Sequence, residues 1–440
     1  MFYLNNEREL TTELLYKMIN KFNTSVVPTL TKYKNYYDGI QAVLERKYSD
    51  ESKPCNKTLI NYCKNIVDSY CGYLATPGYI SYTTEDVVMD VLKYNDYQAE
   101  DADYLLNALI HGVANELMYI DGEGKTRFRQ ISPLQSFGVF DDSLTSDLLY
   151  FVRWYKISEW DDNDKYAVDV YGDVSIKHYE MNGKLGQLTF ISEEPHYFSQ
   201  CPANIFYLPD EKSIFDCIIS LQDSSNEILS TEIDDYQAFC DAYLTLIGDF
   251  DVEAFQEEIP NMKENRVLIL PNSAQAQWLT KNASDVQVEN ILKRLHDAIY
   301  RIAACPDFSS ESFVGGVSSG IAIRYRLTGM ETRAGKIEAE MKKALQRRVE
   351  IICGIASLKL GEEVFREVDI DFKRNIPTDN TEIVNLVNSL KGTVSDATLL
   401  GMLPFVDDVN EELTQLEEQK KHNLEVYGLD FNLQDDGEEE

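Results

Sequence analysis

The chain is short of positive charge. Its 440 residues carry 41 Lys and Arg against 75 Asp and Glu, a formal net charge of −34. Proteins that coat nucleic acid are normally basic, so this balance argues against a general coating role. It leaves open a protein that nucleic acid must pass without sticking. Paired cysteines are also lacking. The eight cysteines stand at 55, 63, 71, 201, 217, 240, 305 and 353 with no CxxC pair. Such usage points to free thiols in a reducing compartment. Cys55, Cys63 and Cys71 lack the tight spacing and neighbouring histidines of a metal site. The five histidines are scattered singly, and none joins a Ser or Cys in a nucleophile motif. No apolar run approaches the roughly 18 residues that span a bilayer. The opening MFYLNNERELTTELL lacks a basic-then-apolar signal pattern. A soluble, intracellular protein with no cofactor and no metal is expected.

A length of 440 residues exceeds one hydrophobic core, so two to four domains are expected. Residues 7–22, 58–74 and 96–119 read as helices, the last with Leu105, Leu106, Leu109, Ile110 and Val113 on one face. From 117 to 208 the texture is β, with short alternating runs such as LLYFVRWYKI and hairpin turns at Asp121-Gly122 and Asn182-Gly183. Residues 213–247 read as helix again. From Asp223 to Glu258 there are eleven acids and no Lys or Arg. Surface helices usually mix signs, so a one-sign stretch this long sets up a local field. RVLILP and AQAQWL, within 261–283, are short strand candidates, and a helix follows from about Ser284 to Cys305. VDIDFKRNIP reads as a strand. Asp379 and Glu382 have capping-box spacing, and further helices begin near Ser395 and 407. The tail QDDGEEE has the composition of a disordered segment.

The most informative stretch is PDFSSESFVGGVSSGIAIRYRLTGMETRAGKIEAEMKKALQRRVEIICGIASL, which begins at Pro306. A Gly/Ser loop opens into a long helix. Leu327, Met330, Ala334, Ile337, Met341 and Ala344 recur at three and four residues, one apolar stripe on one face. Such a stripe is ordinarily buried. The remaining faces carry Arg324, Arg326, Arg333, Lys336, Lys342, Lys343, Arg347 and Arg348 against Glu331, Glu338 and Glu340. This is a cationic island in an acidic chain.

Two apparent motifs dissolve on inspection. GEGKT at 122–126 lacks the earlier glycine of a phosphate-binding loop, since Tyr119 stands there, and RFRQIS after it reads as a strand. It is a hairpin turn. GGVSSG at 315–320 has the wrong spacing for a dinucleotide fingerprint.

Several segments in order resemble the portal proteins of tailed bacteriophages, specifically the siphophage portal family of Gram-positive hosts. They are YKNYYDGIQAVLERK (33–47), NIVDSYCGYLATPGYISY (65–82), SIFDCIISLQDSSNEILSTEIDDYQAF (213–239), SSGIAIRYRLTGMETRAGKIEAEMKKAL (318–345) and DIDFKRNIPTDNTE (369–382). The resemblance implies an α+β portal fold with an α/β wing, long stem and spine helices, a small clip and a short helical crown. The wing would be 1–221 with 357–375. The stem helices would be 222–247 and 284–305, the clip 248–283 and the spine 321–356. The crown would be 376–426, before an acidic tail at 427–440.

The same resemblance implies a ring, usually of twelve subunits, at a capsid vertex, assembled in the host cytoplasm. Double-stranded DNA would pass without sequence-specific binding. The partners would be major capsid and scaffold proteins, the terminase large subunit and a head-completion connector, with no membrane. A tunnel loop at 306–320 would project toward DNA through Ser309, Ser310, Glu311, Ser312, Phe313, Val314, Gly315, Gly316, Val317, Ser318 and Ser319. Asp223, Glu227, Glu232, Asp234, Asp235 and Asp241 would form an acidic channel wall that repels the duplex. The basic residues from Arg324 to Arg348 would contact acidic helices of neighbouring subunits. No residue is assigned a catalytic role. The competing readings are a helical adaptor that forms a coiled coil and an enzyme acting on an acidic substrate. They predict a small oligomer and a pocket with perturbed ionisable groups, respectively.

Overall fold

The computed structural model describes residues 2–5, 9–50, 53–158, 165–183, 186–239, 243–247, 275–279, 285–309, 320–364, 367–374, 380–403, 406 and 409–426. The chain divides into two compact units. One comprises Met1–Ser310 with Leu327–Asn375, and the other Glu311–Arg326 with Ile376–Glu440.

In the first unit, strand β1 (Phe2–Leu4) precedes helix α1 (Thr12–Ser25). Thr11 caps α1 by accepting from the Leu14 N–H at 3.3 Å. Leu15, Met18, Ile19 and Phe22 form its buried face. Helix α2 (Val27–Asp38) stops at Gly39, whose φ of 87° suits a residue without a Cβ. The 33–47 stretch is thus largely helical before it turns. Helix α3 (Tyr62–Leu74) is capped by Asn61, which accepts from the Lys64 N–H at 3.0 Å. After strand β2 (Ile80–Thr84) come helices α4 (Asp86–Tyr94) and α5 (Tyr97–His111).

The single helix expected over 96–119 is corrected here. Gly112, at φ 82°, ends α5. A Cβ there would meet the Lys212 backbone at 2.7 Å, so the close approach requires glycine. The apolar run continues as strand β3 (Val113–Ile120), paired antiparallel with β4 (Thr126–Ile131). The GEGKT segment lies in the turn between them, with Gly124 at φ 77°.

A six-stranded sheet follows the order β1, β5 (Ser136–Asp141), β6 (Leu148–Lys156), β7 (Lys165–Tyr171), β8 (Ser175–Asn182), β9 (Leu188–Pro195). Only the β1–β5 pair in it is parallel. Phe22 of α1 stacks on Phe137 at 5.0 Å and meets Trp154 edge-on at 5.6 Å, which fixes α1 to this sheet. Strand β10 (Ala203–Tyr207) pairs with β3, giving a second sheet of three strands.

Helix α6 (Ile219–Phe239) then packs on α7 (Asp285–Ala303). The expectation of helix to 247 fails. Tyr243–Ile247 is a strand, β11, paired antiparallel with β12 (Gln275–Leu279). Y-L-T-L-I is rich in residues that favour strands, and the Q-A-Q-W-L segment opposite satisfies its backbone. Residues 248–274, most of the expected clip, lie outside the described residues.

The long helix α8 (Gly320–Leu360) runs 41 residues. Its apolar stripe is buried: Leu327, Met330, Ala334, Ile337, Met341 and Ala344 are all at most 6% exposed. Strand β13 (Val368–Phe372) returns to pair antiparallel with β2. The second unit contains α9 (Asn380–Leu390), α10 (Asp396–Leu400) and α11 (Val409–Val426). Ser395 caps α10 through the Thr398 N–H at 3.4 Å.

Candidate functional site

The candidate site is the pair α6 and α7 together with α8. Cys217, just before α6, and Ile302, at the end of α7, line one cavity. Their helices are joined through the β11–β12 pair and therefore run antiparallel.

One face of α6 is polar yet buried. Gln222, Asn226, Ser230 and Asp234 recur every four residues and are at most 5% exposed. Each receives a backbone N–H from an extended segment that crosses the helix in the opposite sense. The Asn56 N–H donates to Asp234 Oδ1 at 2.6 Å, and the Thr58 N–H to Ser230 Oγ at 3.0 Å. The Ile60 N–H donates to Asn226 Oδ1 at 3.0 Å, and the Tyr62 N–H to Gln222 Oε1 at 3.0 Å. The geometry is commensurate. Two residues of extended chain advance about 6.6 Å and four residues of helix about 6.0 Å, so each second N–H meets each fourth side chain. The helix thus serves as a strand edge made of side chains.

The acids assigned to a channel wall divide accordingly. Asp234 is buried and pairs with Arg46 at 2.5 Å, which corrects its placement on an exposed wall. Burial pushes its carboxyl up. The Asn56 N–H and side-chain amide, with the Arg46 guanidinium, outweigh that and hold it below its usual value. Asp223 accepts from the Tyr36 hydroxyl at 2.8 Å, and Glu227 pairs with Arg46 at 2.9 Å. Both are engaged within the subunit. Glu232 and Asp235 are half-buried, and Asp241 lies outside the described residues.

The end of α7 is fixed by two side chains. The Tyr70 hydroxyl donates to the carbonyls of Ala303 and Ala304, each at 3.0 Å. Arg333 of α8 donates to the Ala303 carbonyl at 3.1 Å and to that of Ile214 at 2.9 Å. These contacts set where the following loop begins. Ser309 donates to Asp307 Oδ1 through its N–H at 3.0 Å and its hydroxyl at 2.6 Å. Ser310 through Ser319 lie outside the described residues.

The basic residues of α8 are not one surface. Arg348 is fully buried, and its assignment to a contact between subunits is corrected. Its guanidinium bridges Asp101 and Glu116, with Nη2 2.8 Å from Glu116 Oε1, and stacks 4.5 Å from the Phe128 ring centre. Burial opposes its charge, but the two carboxylates hold its pKa well above the ordinary value. Arg333 caps α7 as described. Arg347 donates to the Ala203 carbonyl at 3.4 Å, Lys342 faces Asp369 at 3.4 Å and Lys343 pairs with Glu340 at 2.8 Å. Arg324, Arg326 and Lys336 are exposed.

Sequence reasoning missed the strap at 56–62 and the clamp on α8 made by Arg374. The Arg374 guanidinium contacts Glu331 at 2.9 Å and Glu338 at 2.5 Å. The polar four-residue repeat of α6 was a signal for the strap. Nothing local marked Arg374. Among the described residues no group of three or more His, Cys, Asp or Glu is placed to hold a metal. No helix among them is long and apolar enough to cross a membrane.

The comparison with known proteins defines the class as the portal of a tailed phage. Residues 17–425 match the family described as phage portal protein, SPP1 Gp6-like, and the chain belongs to that family. It is similar to the portal protein of Bacillus phage SPP1, 23% identical over 430 residues that cover 92% of this chain and 83% of that protein. It is also similar to the portal protein of Clostridium phage phiCD119, 19% identical over 322 residues that cover 70% and 69% of the two chains. The chain is a structural portal protein, a virion component that acts in capsid-associated oligomeric assemblies, and its family is not one of enzymes.

Proposed function

We propose that twelve copies form a ring at one capsid vertex and enclose a channel through which double-stranded DNA is packaged and ejected. The ring assembles in the host cytoplasm with major capsid and scaffold proteins. It docks the terminase large subunit during packaging and a head-completion connector afterwards. Helices α6 and α7 act as the stem, 248–283 as the clip, and α8 as the spine. Residues 1–221 with 357–375 form the wing, and 376–426 the crown. The protein performs no catalysis and needs no cofactor.

The observation that carries this reading is the family match, which runs through the helix pair, the loop after it and α8. Charge supports it. Glu232 and Asp235 on α6, with the acids from Asp241 to Glu258 that follow without a Lys or Arg between them, would supply a carboxylate-rich wall, and such a wall lets a duplex slide without being trapped. A closed ring needs two different patches that meet head to tail. The exposed Lys336 supplies a cation for one of them. The test is negative-stain imaging of the purified chain. Rings with a central hole are expected, and monomers of native fold at every salt concentration would overturn the reading.

A further inference from the structure

A cavity of about 230 Å³ lies in the first unit beneath the N-terminal strand. That is below the roughly 300–1,000 Å³ of sites for drug-sized ligands, so an occupant is small. The rings of Phe2, Phe22, Phe137 and Tyr207 line it, from β1, α1, β5 and β10. His111, Asn115 and Ser136 supply a polar end, and Glu211 lies at the exposed rim.

The polar end offers acceptors. His111 is 6% exposed and Asn115 2%. His111 Nδ1 lies 3.1 Å from the Asn107 carbonyl, which only accepts, so Nδ1 carries the proton. Burial holds the imidazole pKa below its usual value, so the ring is neutral and Nε2 presents a lone pair. The Asn115 amide donates to the Ser136 carbonyl at 3.2 Å and to Ser136 Oγ at 2.8 Å. Ser136 Oγ in turn donates to the Ser132 carbonyl at 2.8 Å. His111 Nε2 and Asn115 Oδ1 therefore remain, buried and without a hydrogen-bond partner among the described residues. Two orphan acceptors, a rim carboxylate and four aromatic rings select for N–H donors and positive charge. They select against carboxylates and phosphates.

We infer that this cavity is a binding site for a small organic cation with an N–H-rich head on a short apolar stem, of the alkylguanidinium or amidinium class. The site lies apart from the helix pair and α8 and does not depend on the portal reading. The test is calorimetric titration of the full-length protein with n-butylguanidinium, n-pentanol and pentanoate. Saturable binding of the guanidinium is expected, with pentanol about tenfold weaker and pentanoate silent. Glu211→Gln, at an exposed position, should weaken the guanidinium several-fold, and His111→Phe about tenfold or more. Should His111→Phe fail to fold, Glu211→Gln and the pentanol comparison still decide. An arginine-containing tetrapeptide that competes would assign the head group to a partner's side chain. One that does not compete would assign it to a free cation, and either result retains the site. Absence of saturable guanidinium binding, equal binding of pentanol, or full affinity in both variants would overturn it.

Discussion

The backbone N–H of Ile60 donates to Oδ1 of Asn226 at 3.0 Å, and Nδ2 of the Asn226 side chain donates to Gln41 Oε1 at 2.9 Å. One side chain on α6 thus holds two points of a segment distant in sequence. Asn226→Leu keeps the branched four-atom skeleton and removes both bonds. The Ile60 N–H and Gln41 Oε1 lose their partners, at about 1–3 kcal/mol for a buried group left unsatisfied. Denaturant unfolding should show a lower midpoint with an unchanged slope. An unchanged midpoint would mean that the strap is held by other contacts.

Arg348 makes the second prediction. Arg348→Met leaves Asp101 and Glu116 buried with no cation between them. Breaking a buried pair in this way costs about 3–5 kcal/mol. Arg348→Glu adds a third carboxylate and should prevent soluble expression. Arg348→Met combined with Asp101→Asn and Glu116→Gln should recover part of the loss in thermal unfolding. A soluble Arg348→Glu protein of normal stability would contradict the buried role.

A third prediction concerns acid. The Arg374 guanidinium, hydrogen-bonded to Glu331, holds that carboxyl below its ordinary value; burial opposes this, and the Tyr73 hydroxyl adds to it. A depressed carboxylate stabilises the fold above its unfolded pKa. That contribution is lost as pH falls through the depressed folded value. The stability advantage of wild type over Arg374→Met should be full at neutral pH and shrink below about pH 4.5, the ordinary value for this carboxyl. An advantage that is constant with pH would refute the ion pair as its source.

The loop supplies a fourth. Phe313→Ser with Val314→Ser should leave assembly intact and impair DNA packaging or retention. Its basis is the sequence. Gly315 and Gly316 permit many backbone states, and two bulky apolar residues stand beside them. Normal packaging and retention by this variant would make the loop a plain connector.

Much of the fold was legible where one signal dominated. The stripe from Leu327 to Ala344 forecast the buried face of α8, and Asp121-Gly122 forecast a turn. Signals that change meaning with context were not legible. Val113 continues the apolar pattern of α5, so the break depends on how closely Gly112 approaches Lys212. Tyr243–Ile247 suits a helix or a strand until β12 provides a partner. Gln222, Asn226, Ser230 and Asp234 share one helix face, and polar residues on a helix usually meet water. Here they meet backbone. Arg348 looked like Arg347, its neighbour in sequence. Only tertiary packing separates a buried cation from a partly exposed one.

The central claim is tested most directly by the mass of the purified assembly. Native mass spectrometry at moderate salt should give one large closed-ring species of about twelve chains, with imaging showing one central hole. A dominant monomer or dimer of native fold under all conditions would contradict the account.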